Sequence, residues 1–181
     1  MAQRRPYAEV IGDPIDHSKS PLIHGFWLAE MGIDGDYGRK QVHRAELADY
    51  LGERRGDPSW RGCNVTMPLK LDAVTLADEA TDVALVAGAA NILLPRDGMV
   101  IAGSTDVGAV VALLTGLRDS GAAMGSVTLL GTGGAARAAL VALRSLDIRL
   151  VCIQARDVSE AYKLAVEFGL AIQPLPFDAP I

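Results

Sequence analysis

Apolar positions along this chain fall into short runs that alternate with longer stretches of helical spacing. Residues 7–11 (YAEVI) read as a strand. Residues 20–32 (SPLIHGFWLAEMG) read as a helix, with Ser20 as its cap and Pro21 starting it. The same alternation continues with DYGRKQV (36–42) before RAELADYLGERR (44–55), and WRGCNVT (60–66) before PLKLDAVTLADEA (68–80). A further helical piece, TDVALVAGA, precedes two strand candidates, NILLP and MVIAGS, joined by the hairpin-like turn RDG. DVGAVVALLTGLRDSG (106–121) reads as a long helix.

From Ser126 the texture changes. SVTLLG is a nearly continuous apolar run ending in glycine, the pattern of a parallel strand buried on both faces. GTGGAARAALVALRSLD follows as a Gly-opened, Ala-rich helix, then RLVCIQA as a strand and VSEAYKLAVEFG as a helix. Together these predict an α/β protein with a domain boundary near residues 105–125, within the long helix. No internal repeat or low-complexity tract interrupts the pattern. Only 55 residues follow Ser126, whereas one βαβ unit takes about 30 residues and a doubly wound nucleotide domain has two βαβαβ halves. About half of that second domain is therefore expected here, in a fragment or a shortened chain.

Composition narrows the picture. The 181 residues are 50% hydrophobic, enough for a core, and carry a net charge of −5. That charge disfavours a general nucleic-acid surface, which needs clustered cations. Arg4 and Arg5 are followed by YAEVIGDP rather than a long apolar run, so a secretory signal is not expected. No stretch approaches the roughly 20 apolar residues of a membrane span. Cys63 and Cys152 lie in apolar runs and read as small buried hydrophobes in a reducing cytoplasm.

Two stretches carry candidate chemistry. In RGCNVTMPLK (61–70), Cys63 and Val65 alternate with Asn64 and Thr66, as in a strand with two different faces. Pro68 is placed to open a helix, and Lys70 then falls in its first turn, where a cation is mildly disfavoured. A lysine there beside polar groups is either accidental or chemical. The second stretch is Gly131-Thr132-Gly133-Gly134-Ala135-Ala136, the G-x-G-x-x-G/A form of a dinucleotide loop between strand and helix. The first glycine permits the tight turn, the second lets a pyrophosphate approach, and Ala136 is small enough for helix–strand packing. At the end of the next strand Arg156 suits the 2′-phosphate of NADP, while Asp157 keeps NAD open; an ordinary surface ion pair is the plainer alternative.

With these residues in place, the chain resembles the shikimate dehydrogenase family from Tyr7 to about Phe168. GDPIDHSKSPLIH (12–24), NVTMPLK (64–70), AGAANIL (87–93), STD (104–106) and GTGGAARA (131–138) carry the resemblance in order. It implies an amino-terminal α/β substrate-binding domain (1–105) and a Rossmann-like NADP-binding domain (106–181) that is about half present. It implies reversible reduction of 3-dehydroshikimate to shikimate in the cytoplasm, with the oligomeric state, monomer or homodimer, left open. Carried over by position, Ser18 and Ser20 would hydrogen-bond the substrate carboxylate. Thr66 and Asn91 would hold ring hydroxyls, and Lys70 with Asp106 would flank the reacting carbon. Gly131, Thr132, Gly133, Gly134, Ala135 and Arg156 would hold the cofactor.

Plainer roles stand beside each of these. Ser20 and Asp106 are candidate helix caps, Lys70 a solvated helix-start lysine and Asn91 a strand-entry turn residue. His17, His24 and His43 lack metal-ligand spacing. The chain also departs from the family pattern. Ile92 stands for the usual threonine, Ser104 for asparagine, Val107 for glycine and Asp157 for threonine. The carboxyl-terminal part that supplies a substrate-clamping glutamine in the family is missing. Two alternatives therefore remain: a quinate/shikimate paralogue using NAD, and a non-catalytic shikimate-binding module.

Overall fold

The computed structural model describes residues 5–169 and 171–178, so Arg4 lies outside the described residues. The fold is α/β, in two units: one ends at Gly103 and the other starts at Ser104.

The first unit holds a six-stranded mixed sheet. In chain order its elements are β1 (Tyr7–Gly12), α1 (Ser20–Glu30), β2 (Asp36–Gln41), α2 (Leu47–Arg55), β3 (Trp60–Val65), α3 (Lys70–Leu76), β4 (Glu79–Ala80), α4 (Asp82–Ala87), β5 (Ile92–Arg96) and β6 (Met99–Gly103). The strand order is β2-β1-β3-β5-β6-β4. β2, β1 and β3 run parallel, β5 is antiparallel to both β3 and β6, and β4 is parallel to β6. The β5–β6 hairpin turns on Asp97 (φ 52°) and Gly98 (φ 79°). Two positive φ values in a two-residue loop match the twist of the flanking strands.

Several boundaries differ from the sequence pattern. α1 starts one residue early: Lys19 is at the N-cap and Ser20 is the first helical residue. Thr105, not Asp106, is at the N-cap of α5 (Asp106–Asp119). Pro68 does not open α3; it sits in a turn closed by the Leu69 N–H donating to the Thr66 carbonyl, and the helix begins at Lys70. The polar end of 68–80 leaves the helix and becomes β4, because the Asp78 and Thr81 N–H groups donate to the Val100 and Ala102 carbonyls of β6.

One face of this sheet packs a core of Ile11, Leu47, Leu51, Trp60, Val65, Leu69 and Leu93, each at most 2% exposed. A polar cluster lies at its margin. The buried Glu9 carboxylate accepts from the Tyr50 hydroxyl (2.9 Å) and Arg54 Nε (2.8 Å). The Arg54 guanidinium lies over the Tyr50 ring (4.6 Å). Burial pushes the Cys63 thiol up to about 12, so it is protonated and unreactive at neutral pH. Cys152, by contrast, is only half-buried.

The second unit packs α5 against α6 (Gly134–Ser145) and builds a parallel sheet from β7 (Val127–Leu130), β8 (Leu150–Ala155) and β9 (Ala171–Pro176), with α7 (Val158–Phe168) before the last strand. β8 is the middle strand, with Val151 and Ile153 fully buried. β7 is not buried on both faces as its apolar run suggests. It pairs with β8 alone among the described strands, and Leu130 is 63% exposed. β9 was not apparent from the sequence, since Pro174 and Pro176 interrupt it.

Removing the acceptor at the core margin should be costly. Glu9→Ala leaves the Arg54 charge and the Tyr50 hydroxyl without their carboxylate and is expected to lower stability by about 3 kcal/mol in urea unfolding.

Candidate active site

Open α/β sheets bind ligands beyond the carboxyl ends of their parallel strands. β1 and β3 end side by side, and their exits are laced together by backbone hydrogen bonds. The Thr66 N–H donates to the Ile11 carbonyl (2.9 Å) and the Asp13 N–H to the Met67 carbonyl (3.0 Å). This approach needs glycine at position 12: a Cβ there would lie 2.5 Å from Thr66 Cγ2 and 2.9 Å from the Met67 carbonyl oxygen.

The same lacing gathers other candidates. The Val65 N–H donates to the Asn91 carbonyl (2.8 Å), the Ala90 N–H to the Lys70 carbonyl (2.8 Å), and the Asn91 N–H to the Gly103 carbonyl (3.0 Å). Thr66, Lys70 and Asn91 are thus held as neighbours at one sheet end, each half-buried. Lys70 is the first residue of α3, so its backbone is fixed by the helix while its side chain stays partly open.

Ser18 and Ser20 approach from the loop after β1. The Ser18 N–H donates to the carbonyl of buried Ile15 (2.9 Å), and the Ser20 N–H donates to Ser18 Oγ (3.3 Å). Ser18, rather than Ser20, therefore supplies the side-chain acceptor at the start of α1. Accepting that bond leaves the Ser18 hydroxyl proton available to donate. Arg39 of β2 secures the loop from the side, donating to the Asp16 and Ser18 carbonyls. His43 completes the brace, with Nδ1 2.7 Å from an Asp13 carboxylate oxygen.

One polar side chain that sequence reasoning missed, Tyr37, stands close by. The Tyr37 hydroxyl of β2 donates to Asn64 Oδ1 at 2.6 Å, and the Tyr37 ring stacks on His24 of α1 (4.0 Å, 7°). Asn64 lies in the NVT stretch and was legible as polar, but its partner sits 27 residues away on β2, across the intervening β1. The tyrosine and histidine also border an apolar pocket of about 360 Å³ with Trp27, Leu28, Ile92 and Leu94.

In the second unit, Asp106 is half-buried and is the first residue of α5, where its charge suits the helix dipole. Gly131 follows β7 with φ 99°, and its N–H donates to the Gln154 carbonyl (2.8 Å). Gly133 is the N-cap of α6, with Gly134 and Ala135 opening the helix after Thr132. A Cβ on Gly131 or Gly133 would meet nothing within 4 Å, so the space over the loop is open to a ligand. The loop and the helix start fit a pyrophosphate. Arg156 is exposed just beyond β8. Asp157 is committed elsewhere: its carboxylate caps α7, accepting from the Ser159 N–H (2.9 Å) and hydroxyl (2.6 Å). These bonds hold its pKa below the ordinary carboxylate value.

Two measurements follow. Gly12→Ala is expected to cost about 1–3 kcal/mol of stability in urea unfolding, because the strand exits must part. The Asp13 hydrogen bond, then the Asp13 and Glu46 charges, hold the His43 pKa above its ordinary value. The stabilisation from that pair is complete below about pH 6.5, the unfolded value, and is lost as pH rises through the folded pKa. In an NMR titration, Asp13→Asn should move the His43 midpoint downward.

Comparison with known proteins agrees with this geometry. Residues 10–93 match the family model for the shikimate dehydrogenase substrate binding domain. The chain is 45% identical over 177 residues to the NADP(+) shikimate dehydrogenase of Sphingopyxis alaskensis, covering 97% of this chain and 64% of that protein. It is 36% identical over 174 residues to that of Sinorhizobium fredii, covering 96% and 61%. Among solved structures, Mycobacterium tuberculosis shikimate dehydrogenase superposes with a TM-score of 0.76 at 35% identity, over 93% of this chain and 63% of that one. The Thermus thermophilus enzyme in complex with NADP(H) and shikimate gives 0.79 at 33% identity with the same coverage. The chain therefore spans under two thirds of the length of these relatives. Its motifs, sheet order and laced strand exits agree with one assignment: residues 10–93 belong to the shikimate dehydrogenase substrate binding domain family, and the chain as a whole is similar to shikimate dehydrogenases.

Proposed function

We propose that this chain carries the substrate site and the first half of the cofactor site of a cytoplasmic, NADP-dependent shikimate dehydrogenase, which interconverts 3-dehydroshikimate and shikimate. The observation that carries the reading is the hydrogen-bonded junction that holds Thr66, Lys70 and Asn91 together beside the serine loop. No helix among the described residues is long and apolar enough to cross a membrane.

The residues have chemistry suited to that reaction. Ser18 and Ser20 hydroxyls donate to the substrate carboxylate without adding charge, and the Thr66 hydroxyl and Asn91 amide both donate and accept toward ring hydroxyls. When bound, NADPH supplies the hydride. Reduction of the ketone leaves negative charge on oxygen, and the Lys70 ammonium stabilises that charge and delivers the proton. Asp106 hydrogen-bonds the same substrate hydroxyl and orients it. On the cofactor side, Gly131, Gly133 and the start of α6 receive the pyrophosphate. Arg156 attracts a 2′-phosphate, and the use of Asp157 in the α7 cap favours NADP over NAD.

A quinate/shikimate paralogue is the second reading, favoured by Ile92 at the wall of the pocket beside Asn64 where the family pattern has threonine. Following reduced-nicotinamide absorbance with shikimate and NADP⁺, and with quinate and NAD⁺, separates the two by relative rate. Shikimate binding without turnover would instead mark a binding module. In an active preparation, Lys70→Ala is expected to lower turnover at saturating substrate by about 10²–10⁴-fold. Near-normal turnover would remove Lys70 from the chemistry.

A further inference from the structure

We propose that Tyr37, backed by His24, is a positioning residue that sets the rotation of the Asn64 side-chain amide and so fixes which of its groups faces the substrate; this rests on the shikimate-site reading above.

A planar amide presents an acceptor on one branch and two donors on the other, and swapping them reverses its hydrogen-bonding sense. At Asn64 the choice is made by a neighbour. The Tyr37 hydroxyl donates to Oδ1 at 2.6 Å, so the amide NH₂ is directed away from β2. Burial raises the Tyr37 phenol well above its ordinary value, which keeps it a donor at working pH. Asn64 lies two residues before Thr66 at the exit of β3, on the same side by the strand's period of two, so an amide of fixed orientation there can offer its donors to the ligand that the Thr66 hydroxyl meets.

Tyr37 is itself held. Its ring lies face to face with His24 at 4.0 Å and 7°. His24 Nδ1 is 2.9 Å from the Ser20 carbonyl, which only accepts, so Nδ1 carries the proton. Trp27 also meets the imidazole, edge-on at 5.3 Å. Ser20, His24, Tyr37 and Asn64 thus form one chain of contacts from the start of α1 to the exit of β3. It ties the serine pair to the NVT stretch, alongside the apolar pocket lined by Trp27, Leu28, Ile92 and Leu94.

The test is a double-mutant cycle read by calorimetric titration of shikimate into the full chain: wild type, Tyr37→Phe, Asn64→Ala and the double variant. Tyr37→Phe retains the ring and its stack, so the fold is kept. It is expected to weaken shikimate binding about tenfold, because the amide is then free to turn either way. The double variant should bind no more weakly than Asn64→Ala alone, since Tyr37 acts through Asn64. Asn64→Asp, which keeps an oxygen for Tyr37 but has no N–H, should lose binding like Asn64→Ala. Wild-type affinity in Tyr37→Phe, full affinity in Asn64→Asp, or losses that multiply in the double variant would each overturn the proposal while leaving the shikimate site standing. A wild-type chain that binds no shikimate would overturn both.

Discussion

The site depends on how closely two strand exits approach. Glycine at position 12 lets β1 and the turn after β3 touch at a distance no side chain would permit, and two backbone hydrogen bonds hold them there. From that contact the rest is placed. The serine loop leaves from β1, Thr66 and Lys70 from β3, and Asn91 enters through its carbonyl to Val65. The junction is made of backbone, so it tolerates variation in the side chains around it, such as Ile92, while keeping the polar groups in register.

The parts that were readable from the sequence share one property: they are local. Strand and helix alternation, the hairpin at Asp97-Gly98, the glycine loop before α6 and the five motifs each show in a handful of consecutive residues. What was not readable depends on pairing across the chain. β4 looks like the tail of a helix until β6 offers its carbonyls. β7 looks like a strand buried on both faces, yet among the described strands it pairs with β8 alone and Leu130 stays exposed. Ser20 and Asp106 looked like caps because their types suit that position, yet each helix begins at the residue itself.

The same distinction explains the site. Ser18, Thr66, Lys70 and Asn91 stand in recognisable motifs. Tyr37 and Arg39 do not, because β2 is a polar strand whose side chains acquire meaning only when pairing with β1 sets it one strand away from β3 and near the serine loop. Asp157 shows the reverse case. As a residue type it argued for NAD, and its geometry spends that carboxylate on Ser159.

β9 closes the described parallel sheet with two prolines spaced two residues apart, opposite Ile153 and Ala155 of β8. Alternate residues of a strand direct their amides to the same side, and a proline in a sheet survives only where no amide is required. The outer side of β9 is therefore short of donors at two successive positions. A strand from another molecule would find acceptors there without the matching N–H groups, and could not zip along it. This sheet has a finished border on that side, which guards the chain against edge-to-edge self-association.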